Sequence, residues 1–300
     1  MIPQPAQSGG SAKSSAQRAP VLKAEAIIAR LSLATRQRTS ADVPELFDMN
    51  LRALRRDRAA RTGTDLFLLQ RAFDDCLDRI SLVDRRFERA LLIGCPDAKW
   101  PEQLGTFVDQ VDACDPGSLF ARAVRGRQIV EDAWEPAQAA YDLVVAVGTL
   151  DTVNDLPRAL ITLRWAMKPD GMLLGAISGG ETLPLLRAAM READRVTGCA
   201  TPHIHPRVEA SALAPLLANA GFTNPVVDVD RVPVSYLRLA DVVRDLRRMA
   251  ATNVLKQRSR TPLTKGAYAA AAAQFDVAGD GERSREMFEI LHFAGWSPPA

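Results

Sequence analysis

The sequence predicts a doubly wound α/β fold in which helices cover both faces of a mostly parallel, Rossmann-like sheet. Short apolar segments alternate with amphipathic helical patterns from Arg89 onward, as this class of fold requires. One stretch contains a strand, a loop, a helix, a turn and a second strand in direct succession. The predicted strands are residues 90–93, 110–114, 141–147 and 172–177.

The clearest local pattern begins in the third predicted strand. Residues 143–147 are short, apolar and rich in valine, which is typical of a central strand buried on both faces. Asn154 or Asp155 is placed to cap the next helix. The apolar stripe of that helix is Leu156, Leu160, Leu163 and Met167. The Lys-Pro-Asp-Gly segment 168–171 is typical of a turn and leads into the fourth strand.

The other elements follow from patterns of the same kind. A polar helical lead-in is predicted at 42–61, and Thr64 is expected to cap the helix after it. The stripe of that helix is Leu66, Leu69, Phe73, Leu77 and Ile80. Further helices are predicted at 181–196, 210–220, 239–251 and 264–275. Pro233 indicates that the strand at 226–236 lies at a sheet edge or bend, and the closing segment is 285–296.

Composition divides the chain into a tail and one large domain. The first 24 residues contain no acidic residue and are rich in Ser, Gln, Gly and Pro, so residues 1–40 are predicted to be a disordered tail. An organellar targeting peptide is the weaker alternative, because prolines and glycines interrupt any amphipathic helix there. Residues 41–296 are predicted to form the domain, with a helical insertion or cap around 237–280.

Bulk properties narrow the class of protein. The 300 residues are 47% hydrophobic and 25% charged, which is typical of a globular domain. A formal net charge of +2 indicates no polyanionic partner, so no nucleic acid is expected. No apolar run reaches the length of a membrane span. The four cysteines have no Cys-x-x-Cys spacing, so we expect reduced thiols and a cytoplasmic location.

A ligand of such a sheet sits beyond the carboxyl ends of its strands, and two residues at those ends stand out. Gly94 follows the first strand and lets a ligand approach the backbone closely. Asp115 lies about twenty residues further on, at the end of the second strand, where a carboxylate accepts hydrogen bonds from both hydroxyls of a ribose. A surface aspartate that begins a turn before Pro116 would give the same pattern.

Two levels of family resemblance rest on these segments. The strand at 141–147 and its helix resemble the fourth strand and following helix of class I S-adenosylmethionine-dependent methyltransferases. Downstream, the chain is similar to the alphaproteobacterial and mitochondrial complex I assembly factor 5-like group, which is related to the malonyl-carrier-protein methyltransferases of biotin synthesis. That narrower resemblance covers roughly residues 45–296. The segments that carry it are 46–58, 179–183, 216–222, 227–231 and 245–253.

The resemblance implies S-adenosylmethionine as cofactor and assigns residues to it. Gly94 and Cys95 would face the cofactor through their backbone, Asp115 and Pro116 would lie at the ribose, Asp132 and Ala133 near the adenine, and Val147 at the sulfonium end. An ordinary loop acid near a helix start remains the alternative for Asp132. The chain departs from the family at Leu92, Pro96 and Ala98 in the glycine loop and at Asp151 and Thr152 further on. No catalytic residue is assigned.

Three functions follow as expectations. The first is transfer of a methyl group from S-adenosylmethionine to an unidentified small-molecule or protein acceptor. The second, motivated by the changed glycine loop, is a degenerate and non-catalytic assembly factor whose partner is a subunit of respiratory complex I. The third, by family analogy alone, is arginine hydroxylation.

Two other motifs are interpreted without function. His203 and His205 lack a suitably spaced third ligand, so no metal site is expected. A dense basic run in the lead-in is predicted to be a solvated helix face. Its members are Arg52, Arg55, Arg56, Arg58 and Arg61.

Overall fold

A computed structural model describes residues 45–277, 279 and 282–300. Within them, seven strands form one sheet. They are β1 (Phe87–Ile93), β2 (Val108–Asp115), β3 (Arg127–Gln128), β4 (Tyr141–Val147), β5 (Met167–Ser178), β6 (Thr223–Tyr236) and β7 (Ser284–Trp296). Their order is β3-β2-β1-β4-β5-β7-β6. The first five strands are parallel, and β7 runs antiparallel to both β5 and β6. The predicted doubly wound, mostly parallel sheet is confirmed.

Helices pack on both faces of this sheet. They are α1 (Met49–Thr62), α2 (Phe67–Ser81), α3 (Trp100–Leu104), α4 (Ser118–Ala123), α5 (Leu156–Ala166), α6 (Pro184–Thr197), α7 (Ala210–Asn219), α8 (Leu239–Arg248) and α9 (Lys265–Val277), with a 3₁₀ turn at Leu150–Thr152. Two apolar clusters result. One joins the sheet to α2, α3, α6, α8 and α9, and the other joins it to α5 and α7.

Strand β4 forms the middle of both clusters, because its side chains alternate between the two faces. Leu143 and Val145 belong to the first cluster, and Val144 and Ala146 belong to the second. Every residue of β4 is buried, as the apolar run predicts for a central parallel strand.

The order of strands also fixes where a ligand could bind. From β1 the chain moves to β2 on one side and later to β4 on the other, so the direction of winding reverses between β1 and β4. In open α/β sheets the ligand crevice lies beyond the carboxyl ends of the strands at such a reversal. Gly94, Asp115 and Val147 all lie at that edge.

Several local predictions can be checked directly. Asp155 caps α5 by accepting from the Arg158 amide, whereas the side chain of Asn154 accepts from the Phe47 amide. The prediction that Thr64 caps α2 is wrong. That helix begins at Phe67 after Leu66, without a side-chain cap, because the apolar face starts later than the polar signal.

The two ends of the sheet differ from prediction in detail. Strand β5 begins at Met167 rather than at Met172, because Tyr141 already pairs with Met167 and the predicted turn is accommodated as an irregularity between that pair and the next. Asp170 within it has a φ of 55°. The edge position of the strand that contains Pro233 is confirmed, since β6 is the last strand of the sheet.

The predicted tail, residues 1–40, lies outside the described residues. The region of the predicted cap, 237–280, contains α8 and α9. Its boundaries remain a prediction. Among the described residues, no helix combines the length and apolarity needed to cross a bilayer.

Candidate functional site

Gly94 joins β1 to the predicted cofactor edge. Its φ is +79°, and an added Cβ would lie 2.3 Å from the Val147 carbonyl oxygen. The Gly94 amide donates to the Cys114 carbonyl at 2.9 Å. Packing of the β1 end against β2 and β4 therefore requires glycine here, whether or not a ligand approaches.

Asp115, the predicted ribose ligand, is completely buried and its hydrogen-bonding capacity is filled. Arg56 donates through Nε to Oδ1 at 2.7 Å and through Nη2 to Oδ2 at 2.5 Å. The backbone amides of Gly117 and Cys95 donate to Oδ1 and Oδ2 at 2.7 and 2.9 Å. A carboxylate has about four acceptor positions, and all are used by the protein itself.

A second buried ion pair lies next to the first. Arg52 donates from Nη1 and Nη2 to the two carboxylate oxygens of Glu131 at 2.7 and 2.8 Å. Its Nη2 also donates to the Thr149 carbonyl at 2.7 Å. Glu131 is therefore held in the interior, directly before Asp132, the residue predicted to lie near the adenine.

Both arginines come from α1, and a third contact fixes that helix in place. Asp57 accepts from the Ser118 hydroxyl and the Leu119 amide at 2.8 and 2.9 Å, so it caps α4 from outside. An added Cβ on Gly117 would lie 2.7 Å from Cβ of Arg56. The backbone of α1 is thus packed closely against the turn that follows β2.

The prediction that the basic run is a solvated face is wrong for Arg52 and Arg56, each of which is 4% exposed. Arg58 and Arg61 of the same helix are exposed. The two buried arginines stand at i and i+4, in line with the buried Ala59 at i+7. That spacing indicates one inward face of a helix, and it was the signal available in the sequence.

The remaining predicted residues divide into two groups. Cys95, Pro116 and Val147 are buried at the same edge as Asp115. Burial raises the pKa of the Cys95 thiol well above its usual range, with Asp115 adding to the effect, so the group is neutral. Asp132 and Ala133 are the other group, and they follow Glu131 on its loop.

Asp132 sits at the start of α5. Its Oδ2 accepts from the amides of Asn154 and Asp155 at 2.9 and 3.0 Å. Ala133 beside it is exposed. The contacts of Asp132 are those of a loop acid near a helix start, and its assignment to adenine stays a prediction.

Buried side chains also fill the space at the loop after Gly94. Pro96 and Trp100 are buried, and the Trp100 ring stacks on Phe73 with a centroid distance of 4.3 Å and an interplanar angle of 4°. The indole Nε1 donates to Gln70 Oε1 at 2.8 Å. The segment is therefore held as core rather than as an open loop.

This arrangement does not fit an adenosyl group. A ribose held by Asp115 needs two free acceptor positions on the carboxylate. Backbone amides occupy two of the four positions, and Arg56 occupies the other two. Moving Arg56 aside would leave a buried guanidinium without its partner. With α1 docked, the residues at the strand ends bind one another.

Beyond the ends of β4 and β5 lies a cavity of about 90 Å³, which Arg52 and Arg56 also border. Arg207 and His205 line it, together with Asp151 from the loop after β4. Nη1 of Arg207 donates to Asp151 Oδ2 at 3.1 Å. His205 accepts from the Val254 amide at 2.9 Å, and burial, with the charge of Arg207, lowers the pKa of His205 to about 4.

The two histidines do not form a metal centre. His203 Nε2 lies 2.8 Å from Asp194 Oδ1, while His205 faces the cavity. In the portion of the chain that the structure describes, no three His, Cys, Asp or Glu side chains are grouped so as to hold a metal ion.

Comparison with known proteins shows the family of this chain. The family model described as a methyltransferase domain matches residues 67–226. The zebrafish (Danio rerio) protein "Arginine-hydroxylase NDUFAF5, mitochondrial" is 34% identical over 232 residues, which are 74% of this chain and 72% of the relative. The chain belongs to the methyltransferase domain family. The human protein of the same name is 30% identical over 86% of this chain and 79% of its own length.

A further relative and a solved structure are consistent with this family. The malonyl-[acyl-carrier protein] O-methyltransferase of Laribacter hongkongensis is 28% identical over 81% of this chain and 88% of its own length. Among solved structures, the YcgJ protein of Bacillus subtilis superposes with a TM-score of 0.51 at 11% identity, over 76% of this chain and all of its own. At that identity the likeness shows the class I methyltransferase fold alone.

Proposed function

We propose that this member of the methyltransferase family works as a non-catalytic assembly factor that keeps the fold without using the adenosyl position. The observation that carries the proposal is the buried pair of Arg56 and Asp115, in which every acceptor position of the carboxylate is filled. The paired Arg52 and Glu131 beside it support the same conclusion.

The energetic argument concerns what a nucleoside would have to displace. Binding at Asp115 requires separation of two groups whose side chains are 5% and 0% exposed. Breaking a buried ion pair by removing one partner costs about 3–5 kcal/mol. That cost would weaken binding by a factor of about 10²–10⁴.

The partner is inferred from resemblance rather than from geometry. The chain resembles the complex I assembly factor group, and the relatives that cover most of it include the NDUFAF5 proteins. A subunit of respiratory complex I is therefore the partner that we propose. The cytoplasmic location stays a prediction, since these relatives carry the word mitochondrial in their names.

Calorimetry with S-adenosylhomocysteine tests the absence of cofactor binding. Titration to 1 mM ligand should give no binding heat for the wild-type protein. The exposed Arg61→Met variant, from the same helix, should behave identically. Saturable binding in the micromolar range by the wild-type protein would refute the closed adenosyl position.

Affinity purification from the native cell tests the partner. The tagged chain should retain a complex I subunit in a stoichiometric complex, and Asp115→Asn should leave that complex intact if it still folds. Complex I that assembles normally in a strain lacking the protein would exclude the assembly role.

Methyl transfer from S-adenosylmethionine to an unidentified acceptor is the second candidate. It is favoured by the position of Asp115, which stands at the tip of β2 beside Gly94, where the family places the ribose. In this case α1 must withdraw before the cofactor binds. Arg56→Gln should then raise the affinity for S-adenosylhomocysteine, and the additional change Asp115→Asn should abolish it. Under the assembly proposal neither variant binds.

The lining of the cavity gives no support to arginine hydroxylation. Arg52, Arg56 and Arg207 all border it. Asp151 and Glu289 also border it, but each forms an ion pair with an arginine, so the lining has no unpaired negative charge that would attract a substrate guanidinium. We therefore do not propose the activity that the NDUFAF5 name states.

A further inference from the structure

Arg207 is a buried cation whose hydrogen bonding is incomplete. Its side chain is 6% exposed, and among the described residues its guanidinium forms one hydrogen bond, the 3.1 Å contact between Nη1 and Asp151. The Nε atom is buried and has no partner among the described residues. A buried donor left without an acceptor costs about 1–3 kcal/mol, so an acceptor from a ligand would recover that energy.

The charges around Arg207 favour an anion. Burial lowers its pKa, Asp151 opposes that effect, and the nearby Arg187 lowers the pKa further. Arginine nevertheless stays protonated in proteins. The other acid at the cavity, Glu289, lies 3.3 Å from Arg231. Asp151 therefore supplies the only anion that bonds to Arg207 in the described part of the chain, and it uses one of five donors.

The other walls of the same cavity are apolar. Leu68, Leu69, Leu246 and Met249 border it, together with Phe288 and Ile290 from β7. His205 adds an imidazole that is neutral near pH 7, because its pKa is about 4. A ligand that fits this lining has an anionic end at Arg207 and an apolar body.

An entry route leads to Arg207 from outside. A larger groove of about 790 Å³ runs along α6, α8 and the segment 258–264. Leu183, His205, Arg207, Leu246, Ala251 and Thr252 line both the cavity and the groove. Arg207 thus stands where the two spaces meet. Arg247 and Arg260 also line the groove, and cations along an approach path raise the local concentration of anions.

From the unfilled Nε donor, the apolar walls and the route to the surface, we infer that this cavity binds a small monocarboxylate with an apolar chain. The planar guanidinium donates two parallel hydrogen bonds to the oxygens of a carboxylate, and Nε is one of its natural donors. The first carbons of the apolar chain lie against Leu69 and Met249, and because the cavity holds only about 90 Å³, a longer chain continues past Leu246 into the groove. The cavity also borders Arg52, Arg56 and Val147, so the inference rests on the proposed closed adenosyl position, which the titration with S-adenosylhomocysteine tests separately.

Sodium octanoate is the probe, with 1-octanol as the uncharged control of equal chain length. Calorimetry at constant ionic strength should give saturable binding of octanoate to the full-length protein. Arg207→Met, which keeps the side-chain length and removes the charge, should weaken octanoate binding at least tenfold. The same change should leave octanol binding unaltered. Arg61→Met, on the exposed face of α1, should not change either affinity.

A second variant covers the case in which Arg207→Met does not fold. Met249→Trp fills the apolar end of the cavity without touching the guanidinium, and it should also abolish octanoate binding. The inference is overturned if octanoate does not bind at 10 mM, or if octanoate and octanol bind equally well. It is likewise overturned if the wild-type protein and a folded Arg207→Met variant bind octanoate equally.

Discussion

At the scale of single residues, Arg56 and Asp115 form one buried polar unit. Neither could be buried alone, because an unpaired charge in an apolar environment is costly. Together with the amides of Cys95 and Gly117 they satisfy one another's hydrogen bonding. The same carboxylate that suits a ribose therefore suits an arginine, since both offer two donors side by side.

Removing one member of this unit should be strongly destabilising. We expect Arg56→Met to lower the free energy of unfolding by about 3–5 kcal/mol, because Asp115 would remain buried and charged with only two backbone donors. Urea unfolding followed by circular dichroism measures this. The matched change Arg61→Met lies on the exposed face and should cost less than about 0.5 kcal/mol. Equal effects of the two changes would contradict the buried pair.

His205 should make stability depend on pH. Its folded pKa is about 4, below the ordinary value of 6.5, chiefly because of burial. Between these values the unfolded chain binds more protons than the folded one, so the free energy of unfolding falls as the pH is lowered from about 6.5 towards 4. The loss should be on the order of 2–3 kcal/mol.

His205→Gln tests the origin of that pH dependence. Glutamine can still accept from the Val254 amide but does not titrate. Unfolding measured at several pH values should show a shallower fall in stability for this variant over the same range. An unchanged slope would assign the effect to other groups, among them His292, whose pKa burial also lowers.

At the scale of elements, helix α1 supplies the side chains that fill the hydrogen-bonding positions of Asp115 and Glu131. Its apolar content is small, and Leu54 is 60% exposed. It is held instead by polar contacts from one face, in which Arg52, Arg56 and Asp57 reach into the sheet edge. Those contacts join residues 59 and 79 positions apart in sequence, so the place of α1 depends on a sheet that holds Asp115 and Glu131 at the same edge.

Asp57 should contribute to α4 as a cap supplied by another helix. The N-terminus of α4 has no capping side chain of its own, since Gly117 precedes it. We expect Asp57→Ala to cost about 0.5–2 kcal/mol, the range for loss of a helix cap. Thermal unfolding measures the change. Asp65→Ala, which removes a half-exposed aspartate 3.7 Å from Arg248, should have little effect, and an equally large loss there would argue against capping.

Prediction of the elements succeeded where the signal was local. Strand β4 has the predicted limits, and α5 begins at the predicted Asp155 cap, because burial on both faces and a capping aspartate are visible in neighbouring residues. Thr64 failed as a cap for the opposite reason. A polar residue before a helix is a weak signal when several nearby residues could act as the cap. The helix begins at Phe67, where its packed face begins.

At the scale of the whole molecule, strands β1, β4, β5 and β7 each contribute side chains to both of the apolar clusters that cover the sheet. Leu143 of β4 faces one and Val144 faces the other. Unfolding of either cluster therefore exposes strands that support the second. This arrangement favours loss of both clusters in one cooperative step, even though the chain is larger than most two-state domains.

Equivalent truncations on the two faces test this coupling. Leu143→Ala and Leu160→Ala remove fully buried side chains from opposite clusters and should each cost about 2–5 kcal/mol. Both should shift the entire unfolding curve, with near-ultraviolet and far-ultraviolet circular dichroism changing together. Two separated transitions in either variant would show that the clusters unfold independently.

The layered arrangement of helices on a sheet could be predicted from the amino-acid sequence alone. Apolar periodicity, strand length and cap residues are local properties, and they predicted the alternation of strands and helices and the edge at which Gly94 and Asp115 meet. The family followed from the same ordered segments, and the match over residues 67–226 confirms it.

The groups that fill that edge could not be predicted in this way, because they come from distant segments of the chain. Whether Asp115 meets a ribose or an arginine depends on a helix about 60 residues away in sequence, and no local pattern reports that choice. Likewise, Nε of Arg207 is buried without a partner among the described residues in a cavity formed by distant segments, among them α8 and the loop after β4. The residues next to Arg207 in the sequence give no sign of this arrangement. Contacts between distant segments are set by how helices pack on a finished sheet, and that packing is a property of the whole fold.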